Sequence, residues 1–215
     1  MTRRRALLLL ASPIVLGAAG LGGCAELQRP NVPWPVPPGL LPVDQEPGRA
    51  AVNIMAQRML GASSGIKDEP GRIAQAAGLM EWMAVELNRA RWSAVPPDAR
   101  AGIGLARDEM RGALGADPLA DSPRLAAALA AAYRALRSGN RAAAAAALPS
   151  SLFPRGGDAT LLRLSDPGPL PQGEISTTYL AERVRVLDET NGWSADFDTP
   201  VPADRGGRGP IPLAF

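Results

Sequence analysis

The chain has 215 residues, with 23 Lys and Arg against 21 Asp and Glu, one cysteine and no histidine. Without histidine there is no Ser-His-Asp or Cys-His catalysis and no histidine-built zinc site. Setting aside Arg3, Arg4 and Arg5 leaves basic and acidic residues nearly balanced, so no basic surface is expected to attract nucleic acid.

Those three arginines open the chain and are followed by the apolar run Ala6–Leu21, broken by Pro13, Gly17 and Gly20. The run is shorter than the roughly 20 apolar residues a spanning helix needs, and it reads as the apolar core of an export signal. It closes on Leu21-Gly22-Gly23-Cys24, where two small residues let an extended backbone enter a peptidase cleft beside the only thiol. This stretch resembles the lipobox of bacterial lipoprotein precursors. The resemblance implies a diacylglycerol on the Cys24 sulfur, cleavage between Gly23 and Cys24, and acylation of the new amine, which together hold a protein on a membrane surface. Ala25, rather than an aspartate, follows the cysteine, which in that family implies the periplasmic face of the outer membrane. Thr2-Arg3-Arg4-Arg5-Ala6-Leu7 also resembles a twin-arginine signal but lacks that family's phenylalanine and lysine, so the ordinary secretory route is expected.

Prolines 30, 33, 35, 37, 38, 42 and 47 follow, with no apolar periodicity between them. Residues 24–47 are therefore expected to form a semi-rigid tether, able to reach roughly 70 Å at polyproline rise. Trp34 within it is expected to have no particular role. A fragment starting near Gly48 should then fold without the tether as a monomeric helical domain.

From Gly48 to Gly192 the spacing is helical. Val52, Met55, Ala56 and Met59 lie on one stripe before a stop at Gly61. Pro70 opens a helix expected to run to about Trp92, with apolar residues on more than one side, which marks it as the centre of the domain. Met80, Trp82 and Met83 on it are a candidate ligand cleft, with core packing as the plainer alternative. Further helices are expected from Pro97 to Gly115, from Ser122 to Leu136, over the alanine run after Asn140, over 158–164, and from Ser176 to Thr190, where Asn191-Gly192 ends the last. Nothing alternates with period two for long. The expected fold is all-α: a single irregular bundle of about five to six helices, followed by a Pro/Gly-rich tail over 193–215.

Few residues offer chemistry. With Cys24 assigned to lipid, thiolate-bound haem, iron–sulfur clusters and cysteine-built zinc sites drop out, and Gly102-Ile103-Gly104 lies inside a helical pattern without a preceding strand. Ser64-Gly65-Ile66-Lys67 resembles the Ser-x-x-Lys of penicillin-binding proteins and serine β-lactamases, but the companion Lys-Thr-Gly is missing and Lys67 is the only lysine. A loop is the expected reading. The adjacent acids Asp68-Glu69, Asp108-Glu109 and Asp188-Glu189 point apart on a helix and make no dyad. Asp188, Glu189, Asn191, Asp196 and Asp198 form the densest oxygen cluster, expected to be a solvated helix end rather than a calcium loop. No metal and no cofactor are expected. The expected function is a non-catalytic envelope lipoprotein that binds a protein partner or acts structurally; the alternatives are a carrier of a small apolar ligand and a histidine-free hydrolase. In the tail, Leu213 and Phe215 are expected to fold back onto the helices, with docking on another protein as the alternative.

Overall fold

Prolines that break strands and helix interiors serve here as helix starts: α1 (Pro47–Met59), α2 (Pro70–Glu86), α3 (Pro97–Leu114), α4 (Ser122–Arg137) and α7 (Pro171–Thr190) each carry one in the first turn. The structure, a computed structural model, describes residues 34–193. The short α5 (Arg141–Ala146) and α6 (Gly157–Ser165) complete an all-helical fold, with no strand among the described residues.

As expected, α2 is the centre. Every residue from Ile73 to Met83 is buried, and α1, α3, α4 and α6 all pack on it. The long α7 lies along α1 and α3, and α5 joins α4 to α6. Two glycines mark close approaches. A Cβ on Gly78 of α2 would stand 3.1 Å from Leu40 and 3.4 Å from Leu129, and one on Gly157 would stand 1.9 Å from the Ala145 carbonyl oxygen.

The tether expected up to Pro47 does not extend over residues 34–46. Leu40 is fully buried in the core cluster, and Trp34, Val36 and Leu41 pack against it. The reason is hydrogen bonding as much as apolar contact. A proline-rich segment has few N–H groups but keeps its carbonyls, and carbonyls taken from water need donors. Side chains of the bundle supply them: Trp82 Nε1 donates to Trp34 O at 3.0 Å, Gln75 Nε2 to Leu40 O at 2.8 Å, and Arg134 Nη1 to Pro38 O. Trp34, expected to be idle, is one end of this strap. Residues 24–33 of the expected tether lie outside the described residues.

Two helix boundaries also differ from expectation. The second helix stops at Glu86, because the chain turns at Ala90–Trp92 and brings three donors back to that buried carboxylate: Arg91 Nε at 2.7 Å, Arg91 Nη2 at 2.6 Å and Trp92 Nε1 at 3.3 Å. Helix α7 begins at Pro171 rather than Ser176, because Glu109 of α3 accepts hydrogen bonds from Gln172 N (3.1 Å) and Gly173 N (2.7 Å) and so caps an earlier turn.

One ion pair is deep inside. Arg111 of α3 donates Nε and Nη2 to the two oxygens of Glu81 on α2, both at 2.6 Å, and also reaches Ser122 Oγ and Pro118 O at 2.9 Å.

Truncating Leu40→Ala should lower stability by about 2–5 kcal/mol, read from urea denaturation, whereas Val43→Ala at the exposed end of the strap should leave the midpoint unchanged. Glu81→Leu should cost about 3–5 kcal/mol because it strands the Arg111 charge. Adding Arg111→Met should recover most of that loss, and a double variant no more stable than the single one would show that the charge is not the reason.

Candidate functional site

Helix α1 ends at Met59, and its last carbonyls are taken up by α2: Arg72 Nε donates to Arg58 O and Nη2 to Leu60 O, both at 2.6 Å. Gly61 then adopts φ +82°, and a short turn over Ala62–Ser64 faces the first half of α7. Glu174 of α7 pins this turn, its two carboxylate oxygens accepting from Gly61 N and Ser63 N at 2.8 Å each, while Leu170 N donates to Ala62 O at 2.8 Å.

Between the turn and α7 lies an open groove of about 770 Å³, lined by Leu60, Ser63, Ser64, Ile175, Tyr179 and Glu182 among others. Its apolar residues are unusually bare: Leu60 is 69% exposed, Ile175 62% and Tyr179 37%. Ile175, Thr178, Tyr179 and Glu182 follow one another at helical spacing, so one face of α7 forms a whole wall.

The polar groups around the groove are engaged within the fold. Hydrogen bonds from Ser63, through its hydroxyl and its backbone N–H, and from Gly61 N hold the Glu174 carboxyl below the usual range. Hydrogen bonding from Arg185 does the same for Glu182, which that guanidinium meets at 2.7 Å. The Tyr179 hydroxyl donates to Asp98 Oδ2 at 2.9 Å, which pushes its pKa up, and Arg183 lies 5.4 Å over its ring. Ser64 lines the groove, whereas Lys67 is not among the lining residues and faces Asp166 Oδ2 at 3.7 Å. Nothing here pairs a nucleophile with a free base.

The other residues singled out from the sequence are placed as follows. Met80 and Met83 have no exposed surface and Trp82 is 3% exposed; all three belong to the core cluster. Solvent does not reach the two methionines, so of the two readings of Met80, Trp82 and Met83, candidate cleft or core packing, the structure has packing. Gly102 sits where a Cβ would come within 3.1 Å of Ser176 Oγ, a close α3–α7 approach. Of the acidic cluster, Asp188 is held by Arg49 Nη2 at 2.8 Å and Trp193 Nε1 at 2.6 Å, Glu189 by Arg185 at 2.5 Å, and Asn191 is the left-handed cap of α7. Among the described residues no group of three or more acids, cysteines or histidines is gathered for a metal. Gly23, Cys24, Asp196, Asp198, Leu213 and Phe215 lie outside the described residues.

The groove itself went unread. Its wall became visible only with α7 starting at Pro171, which puts Ile175 inside the helix rather than before it.

Because its pKa is lowered in the fold, the Glu174 carboxylate should stabilise the turn above the ordinary carboxylate range and lose that effect as pH falls through its lowered pKa. Protection of the Gly61 and Ser63 amides, measured by NMR relative to their intrinsic exchange rates, should persist through the ordinary carboxylate range and be lost only below it. Glu174→Gln should show fast exchange at those two amides already at neutral pH.

No protein-family model, no curated protein and no solved structure matches the chain.

Proposed function

We propose that this chain is a lipid-anchored protein of the bacterial cell envelope, held at a membrane by acyl chains on Cys24, and that its helical domain is a non-catalytic module that binds an envelope protein. The observation that supports the binding role is the groove: three large apolar side chains, Leu60, Ile175 and Tyr179, stand exposed together on one open surface. Patches of this kind on a folded domain mark contact surfaces. The neighbouring acids are occupied as caps and ion pairs, so the groove offers shape and apolar area rather than reactive groups.

The anchor rests on the lipobox resemblance at Leu21–Cys24. Among the described residues no helix is long and apolar enough to cross a membrane. With residues 34–46 packed on the bundle, only residues 24–33 are left of the expected tether. The carrier alternative loses its site, since Met80, Trp82 and Met83 are core residues.

A palmitate analogue fed to cells should label the protein, and Cys24→Ser should abolish the label; label persisting in that variant would reject the anchor. Crosslinking in intact membranes should capture a partner with the native chain and lose it with Ile175→Glu, whose position is exposed enough to leave the helical circular dichroism unchanged.

A further inference from the structure

We propose that the outward face of α4, continued by the first residue of α5, docks flat on an anionic phospholipid surface, its arginines meeting the phosphate headgroups. The proposal rests on the lipid anchor above for bringing a membrane within reach, and adds which side of the domain turns towards it.

The near balance of charge over the whole chain hides a segregation. From Ser122 to Gly157 the sequence holds Arg124, Arg134, Arg137, Arg141 and Arg155 and no Asp or Glu. All five arginines are exposed, and among the described residues none of the five forms an ion pair. Elsewhere the pattern is the opposite: Arg49, Arg72, Arg91, Arg107, Arg111 and Arg185 each meet a carboxylate.

Helix stability accounts for only part of this face. Arg134 and Arg137 stand in the last turn of α4, where a cation complements the negative end of the helix. Arg134 also donates Nη1 to Pro38 O, and Arg137 lies 5.7 Å over the Tyr133 ring. Arg124 is the contrary case. It stands in the first turn, at the positive end, where a cation is unfavourable, and Asp121 just before it neither pairs with it nor caps the helix through its side chain. Arg141, the first residue of α5, repeats the arrangement. Neither guanidinium makes a hydrogen bond or ion pair among the described residues, so both charges are left for something outside the fold. Besides Asp121, the acids at this face are Asp68 and Glu69, which share a notch with Arg137, and Glu69 is held by Arg72 at 3.0 Å.

Shape selects the partner. Helical spacing puts Ala127, Ala128, Ala131, Ala135 and Ser138 on the outward side between the arginines, all exposed or half-buried. Nothing large stands among the guanidiniums to hold a flat surface away. From Arg124 to Arg137 the row is about 20 Å long. A convex row without a cleft gives a peptide no pocket, and without an exposed aromatic ring it gives nucleic-acid bases no platform; Tyr133 is only 7% exposed. A plane of phosphates meets the whole row at once, and guanidinium binds phosphate through two parallel hydrogen bonds. Each basic side chain near an anionic bilayer contributes about a fivefold factor, the equivalent of about 1 kcal/mol.

The test uses the full-length protein in bilayer nanodiscs, with a fluorescent dye on Ala127→Cys in α4, or on Glu189→Cys in α7, which packs on α1 and α3 rather than on α4, and a quencher on some of the lipid headgroups. With phosphatidylglycerol present, the Ala127 dye should be quenched and the Glu189 dye spared. The difference should vanish in discs of phosphatidylcholine alone and at about 1 M salt, where charges are screened beyond about 3 Å. Arg124→Gln combined with Arg137→Gln should lower the ratio of docked to undocked chains about 25-fold, two factors of about five, whereas the corresponding pair of lysine substitutions should keep most of the docking. Both positions are exposed, and circular dichroism checks that the helices are unchanged. Equal quenching of the two dyes, quenching that persists in neutral discs or at high salt, or indifference to the glutamine pair would each overturn the proposal. So would capture of a DNA duplex with no lipid-dependent quenching, which would give the face to a polyanion. Mass spectrometry counts the dyes: one per chain means that Cys24 is blocked by its lipid, and two mean that it is free. In the second case the anchor alone fails, and the face is read in the same way with Cys24→Ser added.

Discussion

The bundle is arranged around a charge that cannot be left alone. Arg111 is 8% exposed and Glu81 3%, and a guanidinium at that depth is tolerable only with its hydrogen-bonding capacity filled. Glu81 takes two of its N–H groups, and Ser122 Oγ and Pro118 O accept further bonds. These partners come from α2, from the α3–α4 connection and from the first residue of α4. Satisfying one side chain therefore sets the α2–α3 contact, the path of the connecting loop and the place where α4 starts.

Carboxylates elsewhere solve a related problem. Glu46 accepts from Gly48 N and Arg49 N at the start of α1, Glu109 caps α7 from the neighbouring α3, and Glu174 caps the turn after α1. Proline at a helix start removes one unsatisfied N–H, and a carboxylate satisfies the next ones. These three carboxylates thus serve chain geometry. That explains why acids that stand close together in the sequence do not converge on a site: Asp108 pairs with Arg107 while its neighbour Glu109 turns to α7.

The helices were legible because their signals are local. Proline, an apolar stripe and a terminal glycine or asparagine can all be read within a few turns, and α2 shows its central place through apolar residues on more than one side. What was missed depends on partners far away in the sequence. Pro171 is made a helix start by Glu109, which lies on another helix. The proline-rich strap has no periodicity of its own, and its burial relies on Gln75, Trp82 and Arg134. Met80, Trp82 and Met83 have the same pattern whether they line a cleft or fill a core, and only the neighbours of α2 decide between the two. The groove is a meeting of a turn with the start of α7, and no window of sequence contains both.

The strap also imposes an order on folding. The hydrogen bond from Arg134 to Pro38 joins residues 96 positions apart, and Leu40 packs beneath a glycine of α2 and beside Leu129 of α4. Chains are made from the N-terminus, so the strap emerges first, yet its binding surface does not exist until α4 has been made and has docked on α2. Contacts so distant in sequence close late. The first part of the domain to be synthesised is therefore among the last to lock, and until then Trp34 and Leu40 are apolar groups without cover, in the interval when a nascent chain most needs a chaperone.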